Sequence, residues 1–217
     1  ELGGVMRHGI PAYRLSRRVL AAEIARIVAM GVDLRCGQAV QGDEAFAALR
    51  REHDAVFVAL GAQSPRGLPQ LDAGRPWAMD GARYLAACSR GEPPALGPRV
   101  LVVGGGSAAI DVARSARRRG HAVTLLALEP QARLPAQRDE VVEALEEGIT
   151  LVDGAMLRTV REDAGAGLSL DCVRVAFDPG AERGRFTVTP LPGSDFTLAA
   201  DAVLTAIGQD PRLDDLA

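Results

Sequence analysis

Apolar residues in the C-terminal half of the chain come in short runs that alternate with helical patterns of apolar and polar positions. Such alternation is typical of parallel strands joined by helices. It predicts strands over 100–103, 122–128, 150–152 and 202–207, and helices over 107–119 and 137–147. Between 156 and 198 the apolar period becomes two, with glycine-rich breaks, which predicts antiparallel strands inserted into the parallel sheet.

The N-terminal half has a less regular pattern. Glycine and proline punctuate residues 2–13, which predicts a loop. A helix is predicted between Ser16, a suitable N-cap, and Gly31. The face of this helix that is expected to pack carries Leu20, Ile24, Ile27 and Val28. Further elements are predicted as a strand over 32–35, a helix over 43–51, a buried strand over 54–62 and a helix over 81–90.

Two stretches suggest how the chain is divided. DAVFVALGA, over 54–62, is a run of strand-forming residues that stops at Gly61, as a parallel strand does beneath a ligand. GEPPALGP, over 91–98, is rich in glycine and proline and is typical of a linker. We therefore expect two units, over 1–97 and over 98–217.

Composition narrows the range of functions. The 217 residues carry a net charge of −3 and only 4% are aromatic, which argues against a nucleic-acid-binding surface. No apolar run reaches the roughly 18 residues that a membrane-spanning helix needs, so no membrane association is expected. Cys36, Cys88 and Cys172 lie far apart with no C-x-x-C pair, which argues against a zinc or iron–sulfur site and indicates a reducing, cytoplasmic location.

The strand predicted over 100–103 runs into a glycine-rich turn at the start of a helix, with the pattern G-x-G-x-x-A. The residues of this turn are Gly104, Gly105, Gly106, Ser107, Ala108 and Ala109. The first glycine permits the tight bend, the second lets a pyrophosphate approach the backbone, and the small last residue lets helix and strand pack closely. The pattern predicts a dinucleotide site. A purely structural turn and an adenosyl-dependent methyltransferase are the alternatives.

The end of the second strand is where the ribose of a dinucleotide is recognised. Glu129 lies there, 25 residues after Gly104, where an acid can accept hydrogen bonds from both ribose hydroxyls and repel a 2′-phosphate. An ordinary surface glutamate is the alternative. Arg133 and Arg138, which follow this strand directly, are the residues expected to hold a 2′-phosphate if one is bound.

Most other charged residues are expected to be structural or solvated. The arginines at 117–119 lie at the far end of the cofactor helix, where they interact favourably with its C-terminal dipole and with solvent. The acids expected on the solvated side of the next helix are Asp139, Glu140, Glu143, Glu146 and Glu147. His8, His53 and His121 do not have the spacing of a catalytic triad or a metal site, and no catalytic residue is assigned.

Five stretches together resemble one family, span nearly the whole chain and keep the family's order. They are ELGGVMRHGIPAYRLS over 1–16, DAVFVALGA over 54–62, VVGGGSAAIDVARSARRRG over 102–120, RLPAQRDEVVEALEEGI over 133–149 and DAVLTAIGQDP over 201–211. The chain resembles the small (beta) subunit of NADPH-dependent glutamate synthase and related flavoproteins with two dinucleotide-binding domains. The resemblance implies an α/β fold: a Rossmann-like parallel sheet that binds NAD(P)H, with an antiparallel β insertion, preceded by part of an FAD-binding domain.

The resemblance also implies cofactor contacts and further parts of the protein. The residues implied to line FAD in the full-length protein are Gly3, Gly4, Gly9, Ile10, Leu60 and Gly61. Gly208, which ends a matching strand, is assigned to cofactor binding as well. The family's first glycine loop is expected before Glu1, and its C-terminal FAD-binding segment after Ala217. Asp111 is implied to face the junction of nicotinamide and flavin, the alternative being a polar residue satisfied by backbone near the helix start.

One departure from the family concerns the choice of cofactor. Family members that use NADPH commonly carry two arginines at the end of the second strand, where this chain has Leu128 and Glu129. An acid at that place favours NADH over NADPH.

The function implied is transfer of a hydride from NAD(P)H to FAD, after which electrons leave through iron–sulfur clusters to a larger redox subunit. The cofactors carry this chemistry, and the protein supplies their position and electrostatic surroundings. The chain by itself is expected to lack turnover. The alternative is an assembly module of a multisubunit redox complex, whose nucleotide site no longer works.

Overall fold

The computed structural model describes residues 2–71, 74–163, 165, 167–181 and 185–213. Its helices are α1 (Gly4–His8), α2 (Arg17–Val28), α3 (Gly42–Glu52), α4 (Gly81–Arg90), α5 (Ser107–Arg117) and α6 (Arg138–Glu146). Its strands are β1 (Ser64–Pro65), β2 (Ala78–Asp80), β3 (Arg99–Val103), β4 (Ala122–Leu126), β5 (Thr150–Val152), β6 (Ala155–Asp163), β7 (Gly167–Pro179), β8 (Phe186–Ala200), β9 (Ala202–Thr205) and β10 (Gln209–Asp210).

A parallel sheet with the strand order β2-β9-β3-β4-β5 forms the centre of the fold. β3 lies in its middle and is apolar on both faces. Val100 and Val102 belong to one apolar cluster, and Leu101 and Val103 belong to the other. A strand that is buried on both faces is a continuous apolar run in the sequence, which is the pattern that predicted it.

The parallel sheet lies between two layers. α4, α5 and α6 cover one face, and Tyr84, Ile110 and Val141 lie in the core that they share with it. The antiparallel sheet β6-β7-β8 covers the other face through residues such as Leu157 and Leu170. The predicted α/β fold with an antiparallel insertion is therefore confirmed. The strands and helices predicted in the C-terminal half end within two residues of their observed bounds.

β2, a strand that the sequence pattern does not predict, forms one edge of the parallel sheet. Its three residues pair with β9 in parallel register, and α4, which follows at once, packs on α5. Residues 78–90 thus pack with the sheet and helices formed after residue 98. The division at 97/98, which rests on glycine and proline content, stays a prediction.

Two strands predicted in the N-terminal half, over 32–35 and 54–62, are wrong. Neither range forms a strand, and Phe57 is 93% exposed although a buried strand was expected there. The local residues favour an extended chain, but a strand also needs a neighbour to complete its hydrogen bonds. Among the described residues no strand pairs with either range.

The first 30 residues differ from expectation in two ways. The loop predicted over 2–13 contains the single-turn helix α1, in which the Arg7 N–H donates to the carbonyl of Gly3. Its start is possible because Gly3 has a φ of 106°, which is readily available to glycine. The helix predicted after Ser16 is confirmed as α2, but only part of its expected face packs, since Ile27 is 56% exposed.

A buried arginine joins α5 to α6. Arg114, which is 4% exposed, forms ion pairs with Glu143 and Glu147. Arg118 also donates to Glu147 at 2.6 Å, and its guanidinium lies 3.8 Å from the centre of the Tyr13 ring. The hydrogen bond from Arg118, with those from Arg114, lowers the pKa of Glu147 to about 2.

The prediction that the acids of α6 share a solvated side is wrong for Glu140 and Glu147. Glu140 is 7% exposed, and the side chain of Glu147 is 22% exposed. Arg14 pairs with Glu140, and Arg114 with Glu147, across 126 and 33 residues of sequence, which spacing along one helix cannot reveal. Arg118 likewise forms an ion pair instead of serving only the helix dipole.

We expect Glu147→Gln to lower the free energy of unfolding at neutral pH and to flatten its acid dependence. The pKa of Glu147 in the folded protein lies below the ordinary glutamate value, so its carboxylate stabilises the fold above about pH 4.5. That contribution is lost as the pH falls toward 2. Urea unfolding of both proteins between about pH 7 and pH 3 should show their difference shrinking toward acid.

Glu146→Gln is the matched control, because Glu146, the last residue of α6, is the exposed neighbour of Glu147. It should follow the wild-type acid profile. A constant gap between Glu147→Gln and wild type over this pH range would contradict the ion-pair account.

Candidate dinucleotide-binding site

The glycine loop lies where the carboxyl ends of three parallel strands meet. The N–H of Gly104, just after β3, donates to the carbonyl of Leu126 at the end of β4. The Ala206 N–H, just after β9, donates to the carbonyl of Val103. Gly104 has a φ of 143°, and a Cβ placed on it would lie 2.4 Å from the carbonyl oxygen of Ala206. Only glycine fits this bend, as the G-x-G-x-x-A pattern predicts.

The two glycines that follow have opposite surroundings. A Cβ on Gly105 would lie 2.7 Å from the Glu129 carboxylate and 3.0 Å from the Leu134 side chain. A Cβ on Gly106 would meet nothing within 4 Å. The loop is therefore packed on one side and open on the other, where the free space begins at the N-terminus of α5.

The start of α5 suits a phosphate group. Ser107 is half-buried and Ala108 is exposed, whereas Ala109 is fully buried and lies against the loop at Gly104. The first N–H groups of a helix lack acceptors within the helix and carry the positive end of its dipole. The open face at Gly106, with these N–H groups beside it, suits the negative charge of a pyrophosphate.

Glu129 reaches the loop from the end of the second strand. It is half-buried, two residues after the buried Ala127, and its carboxylate lies next to Gly105. Leu128, also half-buried, precedes it. A carboxylate at this place can accept hydrogen bonds from ribose hydroxyls of a nucleotide lying on the loop.

The chain then turns back over the loop. The N–H of Ala136 donates to the carbonyl of Gly105 at 3.1 Å, which holds the segment 130–136 against the loop. Arg133 ends a 3-10 turn in this segment and is exposed. Its guanidinium forms no ion pair or hydrogen bond within the described ranges. It is therefore accessible to a ligand.

Asp111, one turn into α5, is held by a residue that sequence reasoning missed. Its Oδ2 accepts a hydrogen bond from Arg14 Nη1 at 2.7 Å, and the second guanidinium nitrogen of Arg14 lies 2.5 Å from Glu140 Oε1. Burial raises the pKa of Asp111, although the hydrogen bond from Arg14 acts in the opposite direction. Asp111 Oδ1 is buried and has no hydrogen-bond partner among the described residues.

Arg14 could not have been assigned this partner from spacing, because 97 residues separate it from Asp111. The one available signal was its place in the stretch GIPAYRLS, over 9–16. Arg14 and the neighbouring Tyr13, which lies over Arg114 and Arg118, attach this stretch to α5.

The residues assigned to FAD, together with Gly208, which is assigned to cofactor binding, fall into three places. Gly3, Gly4, Gly9 and Ile10 lie in or beside α1; Leu60 and Gly61 lie in the unpaired segment after α3; and Gly208 lies between β9 and β10. The Gly208 carbonyl accepts a hydrogen bond from the Arg66 N–H, and Arg66 forms a bidentate pair with Asp210. No hydrogen bond joins these three groups in the part of the chain described, so their common role stays a prediction.

A parallel sheet whose middle strand ends in an open glycine loop at a helix start, with an acid after the next strand, defines a dinucleotide-binding domain of the Rossmann type. Residues 14–216 match the sequence profile of the pyridine nucleotide-disulphide oxidoreductases. The chain belongs to this family, whose members bind FAD and NAD(P)H.

Among its relatives is the NADP(+)-dependent formate dehydrogenase subunit beta of Moorella thermoacetica, 37% identical over 95% of this chain and 30% of that protein. The NAD-dependent dihydropyrimidine dehydrogenase subunit PreT of Escherichia coli O157:H7 is 34% identical, over 99% of this chain and 47% of that protein. A putative glutamate synthase [NADPH] small chain of Cereibacter sphaeroides is 32% identical, over 97% of this chain and 53% of that protein. The resemblance to the glutamate synthase small subunit and its relatives is confirmed.

The chain spans between about a third and a half of the length of these curated relatives. Within the described residues, none of the helices is both long enough and apolar enough to cross a lipid bilayer.

Alanine substitutions at Gly104 and at Gly106 should separate the effect of the loop on stability from its effect on NADH binding. We expect Gly104→Ala to lower the free energy of unfolding by about 2–4 kcal/mol, because its Cβ collides with the Ala206 carbonyl. Gly106→Ala should leave stability within about 1 kcal/mol of wild type, since its φ of −90° suits alanine and its Cβ has space.

Gly106→Ala should nevertheless weaken NADH binding at least about tenfold, because the methyl group occupies the face offered to the pyrophosphate. Urea unfolding measures the first effect and calorimetric titration the second. Unchanged NADH affinity in Gly106→Ala would show that the dinucleotide does not lie on this face.

Proposed function

We propose that this chain is the NAD(P)H-binding portion of a flavoprotein oxidoreductase that passes a hydride from NAD(P)H to FAD for onward electron transfer. The observation that supports it most directly is the contrast within the glycine loop. Gly104 and Gly105 are packed against protein, whereas Gly106 faces free space at the start of α5. A turn that served structure alone would not need a side-chain-free position on its open side.

In this proposal the loop 104–109 holds the pyrophosphate, and Glu129 accepts hydrogen bonds from the ribose hydroxyls. A carboxylate there disfavours a 2′-phosphate, so NADH is the preferred cofactor. Arg133 and Arg138 are both exposed on the segment that follows Glu129, and they are the residues that would hold a 2′-phosphate. The relatives do not decide this choice, since their names include both NAD and NADP.

The residues of this chain position the cofactors. When bound, the nicotinamide supplies the hydride and the flavin accepts it. Gly3, Gly4, Gly9 and Ile10, with Leu60 and Gly61, form the flavin side, and Gly208 is a further cofactor contact. In this proposal Asp111, which lies on the cofactor helix and is fixed by Arg14, faces the junction of nicotinamide and flavin. Proton transfer by a catalytic side chain is not part of the proposal.

The electrons would leave to a partner, which we propose to be a larger redox subunit or an iron–sulfur protein. The support is that the relatives are named as beta subunits or small chains of larger enzymes. A role like that of the glutamate synthase small subunit follows from the same resemblance. Because the chain covers 30–53% of these proteins, we expect no turnover from the chain alone.

The choice of cofactor can be tested with Glu129→Arg. Wild-type chain should bind NADH more tightly than NADPH in calorimetric titrations at matched ionic strength. Glu129→Arg should reverse the preference, because a guanidinium pairs with the 2′-phosphate that the carboxylate repels, and a reversal of about tenfold corresponds to about 1.4 kcal/mol.

Glu52→Arg, an identical change at an exposed residue at the end of α3, is the control for net charge and should leave the preference unchanged. Tighter binding of NADPH by wild type would assign the phosphate to Arg133 or Arg138 and reject the role of Glu129. If folded wild-type chain binds neither cofactor, the assembly-module alternative replaces the proposal.

A further inference from the structure

A second cleft, of about 320 Å³, lies where the segment 11–17 meets α4 and the C-terminal end of α5. The polar groups in its walls belong to Arg17, Arg118, Arg119, Tyr13, Ser89 and Ser115. No residue of the glycine loop lines it, so it is separate from the proposed dinucleotide site. No aspartate or glutamate is among its lining residues within the described ranges.

The positive charge of this cleft is not fully neutralised. Arg118 pairs with Glu147, but Arg17 donates only to uncharged acceptors. These are the carbonyls of Met6 and Ile10, at 2.9 and 2.7 Å, and Ser89 Oγ at 3.2 Å. The guanidinium of Arg119 forms no hydrogen bond or ion pair with any described residue. Two guanidinium groups without a carboxylate partner thus face one cleft, in a chain whose net charge is −3.

The wall formed by Arg17 is fixed in place before any ligand arrives. Ser89 Oγ donates to the carbonyl of His8 at 3.0 Å while it accepts from Arg17. These bonds tie α4 to the N-terminal segment and hold the guanidinium of Arg17 in one orientation. Little rotational freedom remains to be lost at this wall on binding, which favours recognition of a small ligand.

We infer that this cleft binds a small anion through a phosphate or carboxylate group. Arg119 supplies the charge that has no described partner, and Arg17 and the hydroxyl of Ser115 supply further polar contacts. The planar guanidinium matches both kinds of oxygen acceptor. A volume of 320 Å³ lies at the lower end of the roughly 300–1,000 Å³ of small-molecule sites, which suits a metabolite smaller than a dinucleotide.

The test uses the full chain with the glycine loop blocked by Gly106→Val, so that an anion cannot be held there. Inorganic phosphate and succinate are titrated separately by calorimetry, at an ionic strength kept constant with sodium chloride. At least one of them should bind saturably at one site. Tighter binding of phosphate assigns a phosphorylated ligand, and tighter binding of succinate a dicarboxylate.

Adding Arg119→Gln should weaken that binding about tenfold, as loss of one charge-assisted hydrogen bond does. Arg119 is exposed, so this change should not disturb folding. Adding Arg50→Gln instead, at an exposed arginine of α3 that does not line the cleft, should change nothing. Equal affinity with and without Arg119, or no saturable binding of either anion, would overturn the inference. The inference does not depend on the proposed function, since NADH is absent from the experiment.

Discussion

The backbone at Gly104 passes so close to β9 that a Cβ there would lie 2.4 Å from the Ala206 carbonyl oxygen. This approach fixes the turn from β3 into α5 against the ends of two neighbouring strands. It also allows Ala109 to pack beneath the turn, so that α5 starts at the sheet edge with its N-terminus outward. The open face at Gly106 is a consequence, because a wider turn would lift the helix start away from the strand ends.

The N-terminal segment is joined to this domain by ion pairs, by one aromatic ring and by hydrogen bonds to α4. Arg14 contacts acids on two helices, Asp111 and Glu140, and both acids are largely buried. Removing one partner from such a cluster leaves an uncompensated buried charge, which typically costs about 3–5 kcal/mol. The segment that we propose to line the flavin is therefore held in a defined register on the cofactor helix.

The parts of this structure that could be predicted from sequence are those specified by neighbouring residues. The run of valines in β3, the glycines after it and an acid 25 residues after Gly104 all lie within one β-α-β unit, and the structure places that acid beside Gly105. The cluster around Arg14 could not be found this way, since its partners lie 97 and 126 residues away. The three residues of β2 give too short a pattern to recognise.

The strand predicted over 54–62 shows what neighbouring residues alone cannot specify. Its residues favour an extended chain strongly, but strand formation is decided by a hydrogen-bonding neighbour, which no single stretch of sequence encodes. The predicted packing of α2 fails in the same way at Ile27, because an apolar stripe indicates that a face can be buried but does not supply the surface that buries it.

The exposed stretch VFVAL, over 56–60, has a practical consequence for anyone who purifies this chain. It contains no charge and no proline, and Phe57 is 93% exposed. Short segments of this kind join between copies as added strands. A concentrated sample thus presents a stretch that can pair between copies, however stable the Rossmann sheet is.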